Sequence, residues 1–325
     1  MNKMEHKKRM KKLLPVLLVF LPLLLACKGG HEQRKEEPVT LKVLEWNIWH
    51  GGKGERLPVK DARPEIIRIL KHSGADVILM IETYGAAPMI ADSLGFHYVL
   101  LSSNLCIFSR YPILDTLVFP DSISTFNFGG VKVDVAGRPV IFFDTWLHYL
   151  PDARRVPVDS SETAIINWEC RGSRDDEIRT ILHLIRPYLQ QADSIPVVLG
   201  GDLNSHSHLD WVETTKNKYH HGGAVVRWPV SWALTQAGLR DAYREIHPDP
   251  AADPGTTWLS SGKVNGSILY DRQDRIDYIY YRGKKLQAVA AEVFVAPDGS
   301  TFTFHGRSFM FPSDHGFVLV TFRLK

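Results

Sequence analysis

The chain has 325 residues, 44% of them hydrophobic and 23% charged, with a formal net charge of +3. That composition excludes a disordered or fibrous chain and is ample for a large buried core. Three cysteines, Cys27, Cys106 and Cys170, are too few for a disulfide-built scaffold, and no CxxC or Cys/His array points to structural zinc.

The first twelve residues carry six bases (Lys3, Lys7, Lys8, Arg9, Lys11 and Lys12) against one acid, Glu5. Leu13 to Ala26 is then uncharged and apolar. This predicts a secretory signal, too short and wrongly flanked for a stable transmembrane helix. The segment Leu24-Leu25-Ala26-Cys27 resembles a bacterial lipobox, which implies that Cys27 becomes a lipidated first residue. The expected organisation is a signal over 1–27, a Gly- and charge-rich flexible tether over 28–38, and one domain over 39–325. The expected location is the cell envelope, lipid-anchored, facing the periplasm or the exterior. Removing a signal of net +5 from a chain of net +3 leaves a domain near −2. Such a domain lacks the bulk basic footprint of a protein that grips long nucleic acid, although a local basic strip is compatible with it.

Within the domain, strand-like runs come in the order Leu41–Ile48, Val77–Glu82, His97–Leu101, Leu105–Ser109, Val131–Val135, Val140–Trp146 and Val197–Leu199. Arg275–Tyr281, Val289–Phe294 and Phe317–Phe322 follow. Several are apolar almost throughout, the pattern of strands buried on both faces. Helical patterns lie between them: Ala62–His72 with Asp61 as N-cap and Pro64 in its first turn, Pro88–Leu94, Asp175–Gln190 and Trp232–Ala237. Alternating strands and helices predict an α/β or α+β fold. Cys106 lies in an apolar run, and it and Cys170 are expected to be unpaired.

Polar residues sit where the apolar runs end. Asn47 shares a strand face with Val43 and Glu45. Glu82 follows five apolar residues, a costly position for a carboxylate unless it meets a cation or several donors. Asp202 and Asn204, two apart after Gly200-Gly201, point the same way in extended chain. Asp314-His315-Gly316 opens the last strand. Oxygen ligands suit a hard cation, and a histidine moves protons, so the set predicts phosphate-ester chemistry.

The order Trp46-Asn47-Ile48, Glu82, Gly200-Gly201-Asp202-Leu203-Asn204, Arg275-Ile276-Asp277-Tyr278, Ser313-Asp314-His315-Gly316 resembles the endonuclease/exonuclease/phosphatase superfamily of DNase I-like nucleases, abasic-site endonucleases, sphingomyelinases and inositol-phosphate 5-phosphatases. The resemblance runs from about Leu41 to Leu324. It implies a four-layer α-β-β-α sandwich of two mixed sheets and a Mg²⁺ cofactor, with Mn²⁺ as the alternative. It also implies site roles. Glu82 is the principal metal ligand, Asn47 positions metal or phosphate, and Asp314 supports the metal. Asp202 orients or deprotonates the attacking water, and Asn204 holds a phosphate oxygen. His315 is the acid–base residue, oriented by Asp277, with Asp274 competing for that part. The family's polar-Thr-His-Leu segment reads here Asp144-Thr145-Trp146-Leu147-His148, with the histidine displaced; His148 is carried as a phosphate contact or leaving-group acid, and Asp144 is a second candidate to point inward. Asp241 is expected to be structural, and Thr256-Thr257-Trp258 to line the cleft. His206 and His208 leave open a second metal or a plain loop. Pro151–Arg174, with Arg154, Arg155, Arg171 and Arg174, is either a specificity insertion for an anionic group or a solvated loop.

The function so predicted is Mg²⁺-dependent hydrolysis of a phosphate monoester or diester on a small or lipid-head-group substrate. The alternatives are an extracellular endonuclease and, in another class, a non-catalytic anion-binding surface lipoprotein.

Overall fold

Apolar runs buried on both faces become the central strands of two six-stranded sheets in the computed structural model, which describes residues 37–264 and 267–325. The signal, Cys27 and all of the tether but Glu37 and Pro38 lie outside the described residues. Glu37–Lys325 forms one compact unit.

In chain order the strands are β1 (Val39–Asn47), β2 (Val77–Ile81), β3 (His97–Leu100), β4 (Cys106–Ser109), β5 (Ile113–Leu117), β6 (Phe128–Val135), β7 (Arg138–Trp146) and β8 (Val197–Asp202). They continue with β9 (Arg240–Asp241), β10 (Trp258–Val264), β11 (Ser267–Asp274), β12 (Asp277–Arg282), β13 (Leu286–Phe294), β14 (Thr301–Phe304), β15 (Arg307–Met310) and β16 (Phe317–Leu324). One sheet has the order β13-β16-β1-β2-β4-β3 and the other β5-β6-β7-β8-β12-β9, while β10-β11 and β14-β15 are separate hairpins. Each large sheet holds a single parallel pair, β1 with β2 and β7 with β8, amid antiparallel neighbours. A parallel pair needs a crossover, and helices Arg63–Ser73 and Arg174–Gln190 supply the two.

The layers follow from the side-chain alternation of the strands. Val43, Leu79, Phe142, Val198, Ile279 and Val320 meet between the sheets. Leu44, Trp46, Ile78 and Met80 face outward beneath helices Arg63–Ser73 and Ala87–Leu94. Phe143, Leu199 and Tyr280 face outward beneath helices Arg174–Gln190 and Pro229–Gln236. The arrangement is the expected four-layer sandwich.

Several details depart from the sequence reading. Helix Arg63–Ser73 takes Ala62 as its N-cap, and Asp61 instead accepts a 3.0 Å hydrogen bond from the Arg63 amide from one position further out. Strands β5 and β9, both small hairpins and helix Glu162–Glu169 carried no legible pattern. Arg275, read as the start of a strand, lies just before β12, buried in an ion cluster. Cys106 is buried and Cys170 exposed, both as free thiols. Among the described residues no helix is long and apolar enough to cross a membrane.

Candidate active site

The inward faces of β1, β7, β8 and β12 change from apolar to polar at the same end of the sandwich. On β1 the inward residues run Val43, Glu45, Asn47; on β8 they run Val198, Gly200, Asp202. Strand register does the rest. Asp277 pairs with Asp202, and Trp146 with Asp202 on the other side. Two glycines make the close packing feasible. A Cβ on Gly200 would lie 2.5 Å from Leu79 Cδ1, and one on Gly201 (φ 149°) would lie 2.0 Å from the Thr145 carbonyl oxygen.

Asn47 is the hub. Its Nδ2 donates to Glu82 Oε1 at 3.3 Å and to Asp202 Oδ2 at 3.2 Å, while its Oδ1 accepts from the Trp49 amide at 3.0 Å. Glu82 sits in the left-handed region (φ 58°), as does Asn204 (φ 49°), uncommon strain for non-glycine residues and of the kind concentrated at functional sites. Glu82 is clasped by the His50 amide on Oε2 (2.8 Å), and its own amide donates to Asn104 Oδ1 at 2.8 Å. Fully buried Asn104 carries no signal in the sequence, where an Asn directly after the pair Ser102-Ser103 reads only as a turn. Asp202 Oδ1 accepts from the Asn204 amide at 2.9 Å, and Asn204 Nδ2 donates to the Leu147 carbonyl at 2.9 Å.

His315 reaches the site through a short knot. Ser313 Oγ donates to the Asn47 carbonyl (2.7 Å) and accepts from the His315 amide (3.1 Å), and Trp46 Nε1 donates to the His315 carbonyl (3.0 Å). Nδ1 of His315 lies 3.1 Å from both oxygens of Asp277, and Nε2 lies 3.9 Å from Asp202 Oδ2. The structure thus pairs His315 with Asp277, whereas Asp274 lies 3.5 Å from His206. Thr257 Oγ1 accepts from the Ile276 and Asp277 amides (3.0 and 3.1 Å), which fixes the start of β12. Trp258 stacks on the His315 ring at 6.0 Å.

The electrostatics are lopsided towards negative charge. Burial, then the charges of Asp277, Asp202 and Asp144, push the Glu45 carboxyl well above its usual range, and neither of its oxygens has a hydrogen-bond partner among the described residues. Asp144 is likewise driven up by burial; the Thr145 and Met80 amides pull the other way, short of a well-formed hydrogen bond. Asp202 is pushed up to about 7 by burial and Asp277, against the opposing pull of His315. Burial disfavours the His315 imidazolium, yet Asp277 and Asp202 outweigh it and hold His315 well above its ordinary value. The Asp314 carboxyl rises through burial and the charge of Glu82; its Oδ1 has no partner among the described residues, and its Oδ2 lies 3.7 Å from Arg56 Nη2.

The structure therefore brings together Asn47, Glu82, Asp202, Asn204, Asp277, Asp314 and His315. His148 stands apart from them. It lies beyond the end of β7, bonds locally to Leu150, and faces a cleft outside the carboxylate cluster, while Trp146 takes the strand position beside Asp202. Asp144, the competing candidate, does point inward. Asp241 caps the turn at Tyr243 and Arg244 as a structural acid, and His208 is tied to Ser231 Oγ at 2.9 Å. Two donor sets compete for a cation. Asp202, Asp277 and His315 bring one ligand atom each within 4.8 Å of one another, but Nδ1 of His315 is already engaged by Asp277. Asp314 with its orphaned oxygen, Glu82 and Asn47 form the all-oxygen set that suits a hard cation.

A two-sheet sandwich with clustered acids, a paired histidine and asparagines at one edge defines the class of metal-dependent phosphoric ester hydrolases. The chain belongs to the Endonuclease/Exonuclease/phosphatase family, whose sequence model matches residues 44–315. An uncharacterised Caenorhabditis elegans protein is 28% identical over 290 residues, covering 85% of this chain and 88% of its own. Among solved structures, the human Nocturnin catalytic domain superposes with a TM-score of 0.56 at 17% identity, covering 88% of this chain and 95% of that one. TDP2 from D. rerio, complexed with single strand DNA product, gives 0.55 at 15% identity over 87% and 98%. An AP endonuclease from Archaeoglobus fulgidus gives 0.54 at 17% identity over 86% and 98%.

Proposed function

We propose that this enzyme hydrolyses a small or lipid-head-group phosphate ester with Mg²⁺, by direct water attack. The observation that carries the metal half of this reading is the meeting of Glu82 and Asp314. Two acids repel each other across the site, and a buried Asp314 oxygen is left without a partner among the described residues. Glu82, Asp314 and Asn47 would hold the ion. When bound, a divalent cation polarises a phosphoryl oxygen and stabilises the departing one.

The chain's own residues supply the rest. Asn47 and Asn204 offer amide groups to phosphate oxygens. Asp202, a buried carboxylate near neutrality in its proton affinity, takes the proton of the attacking water. Asp277 holds Nδ1 of His315, so Nε2 faces Asp202 and the reacting phosphate as a donor. His148, on the rim, is the candidate to meet the leaving group. Export and lipid anchoring at Cys27 belong to the same reading, which sets the enzyme on the cell envelope; Cys27→Ser releasing the domain from membranes supports it, and unchanged membrane partitioning opposes it.

The test is turnover of mono- and bis-aryl phosphates across a Mg²⁺ and Mn²⁺ titration, with Glu82→Gln as the variant. Activity should vanish in EDTA and fall by about a hundredfold or more in Glu82→Gln, a typical loss for removing one preorganised electrostatic group. Full activity in EDTA would overturn the metal-dependent reading, and no turnover of any ester with either metal would leave the non-catalytic one. The endonuclease reading draws on two solved neighbours, TDP2 complexed with single strand DNA product and an AP endonuclease. A domain near −2 speaks against it. Efficient plasmid cleavage with a steep salt dependence would establish it instead.

A further inference from the structure

The segment after His148 builds a cleft of about 790 Å³ lined by His148, Leu150, Pro151, Arg155, Trp168 and Arg171, among others. It is rigid at its base. Arg174 and Glu169, both 1% exposed, form a buried pair; Arg174 also donates to the carbonyls of His148 (3.2 Å) and Pro151 (3.0 Å). Glu169 Oε1 accepts from Ser205 Oγ at 2.7 Å, which ties the cleft wall to the residue following Asn204. The cleft is therefore built onto the Asp202–Asn204 loop and is not a loose surface fold.

Its charge is unbalanced in the opposite sense to the carboxylate cluster. Asp152 is occupied by Arg154, whose Nε lies 2.9 and 3.0 Å from its two oxygens. That leaves Arg155, 82% exposed, with only a 4.0 Å approach to the same acid. Arg171 is exposed, with no ion pair recorded among the described residues. The same cleft is lined by the ring of Trp168 and the apolar pair Leu150-Pro151, a surface suited to a carbon framework.

Continuity with the reacting centre runs through adjacent residues. Arg154 lies over the Trp258 ring at 5.6 Å, and Trp258 stacks on His315 at 6.0 Å. The short turn Ala153–Arg155 thus directs one arginine to the ring beside the catalytic histidine and leaves the next one in the cleft.

We propose that this cleft receives the part of the substrate beyond the scissile phosphate, and that this part carries a second anionic group, a phosphate or carboxylate, gripped by Arg155 and Arg171. The proposal rests on the phosphate-ester reading above and narrows its substrate class to polyanionic esters on a compact framework. Guanidinium–phosphate pairs are strong and directional, and a preformed cleft lowers the cost of ordering them.

The experiment compares a polyol bisphosphate with its monophosphate, using the full chain with Mg²⁺, the wild type and the double variant Arg155→Gln/Arg171→Gln. Wild type should prefer the bisphosphate. In the double variant the kcat/KM ratio of bisphosphate to monophosphate should fall by about tenfold or more, through KM, as expected for loss of charge-assisted hydrogen bonds. Arg323→Gln, exposed near the end of β16 away from His315 and not among the cleft-lining residues, serves as the control for a general charge effect. A second arm offers the same bisphosphate head group on a lipid in vesicles, and a preference there or in solution supports the proposal and identifies the source. An equal fractional loss on both esters, or no preference in the wild type, overturns it. So does a loss confined to plasmid cleavage, which would assign the cleft to a nucleic-acid strand. Failure of every ester with every metal would instead sink the phosphate-ester reading itself.

Discussion

Two buried ionic clusters of similar size behave in opposite ways. In one, Asp210 and Asp241 meet Arg244 and Arg275, all less than 10% exposed. Arg275 Nε lies 2.7 Å from Asp210 Oδ2, its Nη1 lies 2.7 Å from Asp241 Oδ2, and Arg244 Nε lies 2.6 Å from Asp210 Oδ1. Burial alone would raise Asp210, but Arg275 and Arg244 outweigh it and hold that carboxyl below its usual range. Two positive charges balance two negative ones. In the other, Glu45, Asp144, Asp202 and Asp277 face one histidine, and Glu45, Asp144 and Asp202 are driven up. Burying charge does not by itself mark a site of chemistry. Burying unbalanced charge does, because the imbalance is what a cation, an anionic transition state or a transferred proton can relieve.

The sharpest way to break the comparison is at His315. His315→Ala should lower kcat about 10²–10⁴-fold, the range for losing a general acid–base, and Asp277→Ala combined with it should add little. Strictly additive losses in steady-state kinetics would show that Asp277 does not act through His315. Next in size is the balanced cluster. Asp210→Ala removes the acid shared by two buried arginines, leaving Asp241 to face both charges and Arg244 with backbone carbonyls alone, and should cost about 3–5 kcal/mol in urea unfolding. A cost below about 1 kcal/mol, the scale of an exposed pair, would erase the distinction between the clusters.

The pH dependence sharpens it further. Asp202 must be deprotonated to accept a proton, so kcat/KM should climb with pH through about 7 at limiting Mg²⁺. Saturating Mg²⁺ should draw that limb to lower pH, since a nearby cation favours the carboxylate. A limb that ignores the metal would separate Asp202 from the metal-binding acids. The smallest effect is on stability. Asp144 has a raised folded value, so the native state binds more protons than the unfolded one above the ordinary Asp range. Its stability contribution is greatest below that range and is lost as pH rises towards the folded value. Asp144→Asn should flatten the decline of Tm with rising pH and leave the variant the more stable form at pH 8. A steeper decline would mean that Asp144 is held charged.

Much of the site was legible because each component ends an apolar run. A carboxylate after Val77–Ile81, or Asp202 and Asn204 after Val197–Leu199, conflicts with burial and so announces itself. Other components had no such signal. Asn104 supports Glu82 from a turn, Trp258 backs His315 from a hairpin, and helix Glu162–Glu169 has too little amphipathic pattern to stand out. The displaced histidine shows the limit most clearly. Resemblance to the family's polar-Thr-His-Leu segment carried His148 as a site residue despite the shifted spacing, but strand register aligned Trp146 with Asp202 and left His148 at the neighbouring cleft.

The sequence by itself determined the alternation of buried strands and helices, the order of the polar clusters at the strand ends, and hence the family, because these depend on local hydrophobic period and short motifs. Tertiary structure alone decided which acids share a charge, that Asp277 and not Asp274 meets His315, and that a negative pocket adjoins a positive cleft. Those facts depend on register between strands far apart in the chain. A shift of one residue would turn each side chain to the opposite face, and no local pattern encodes that.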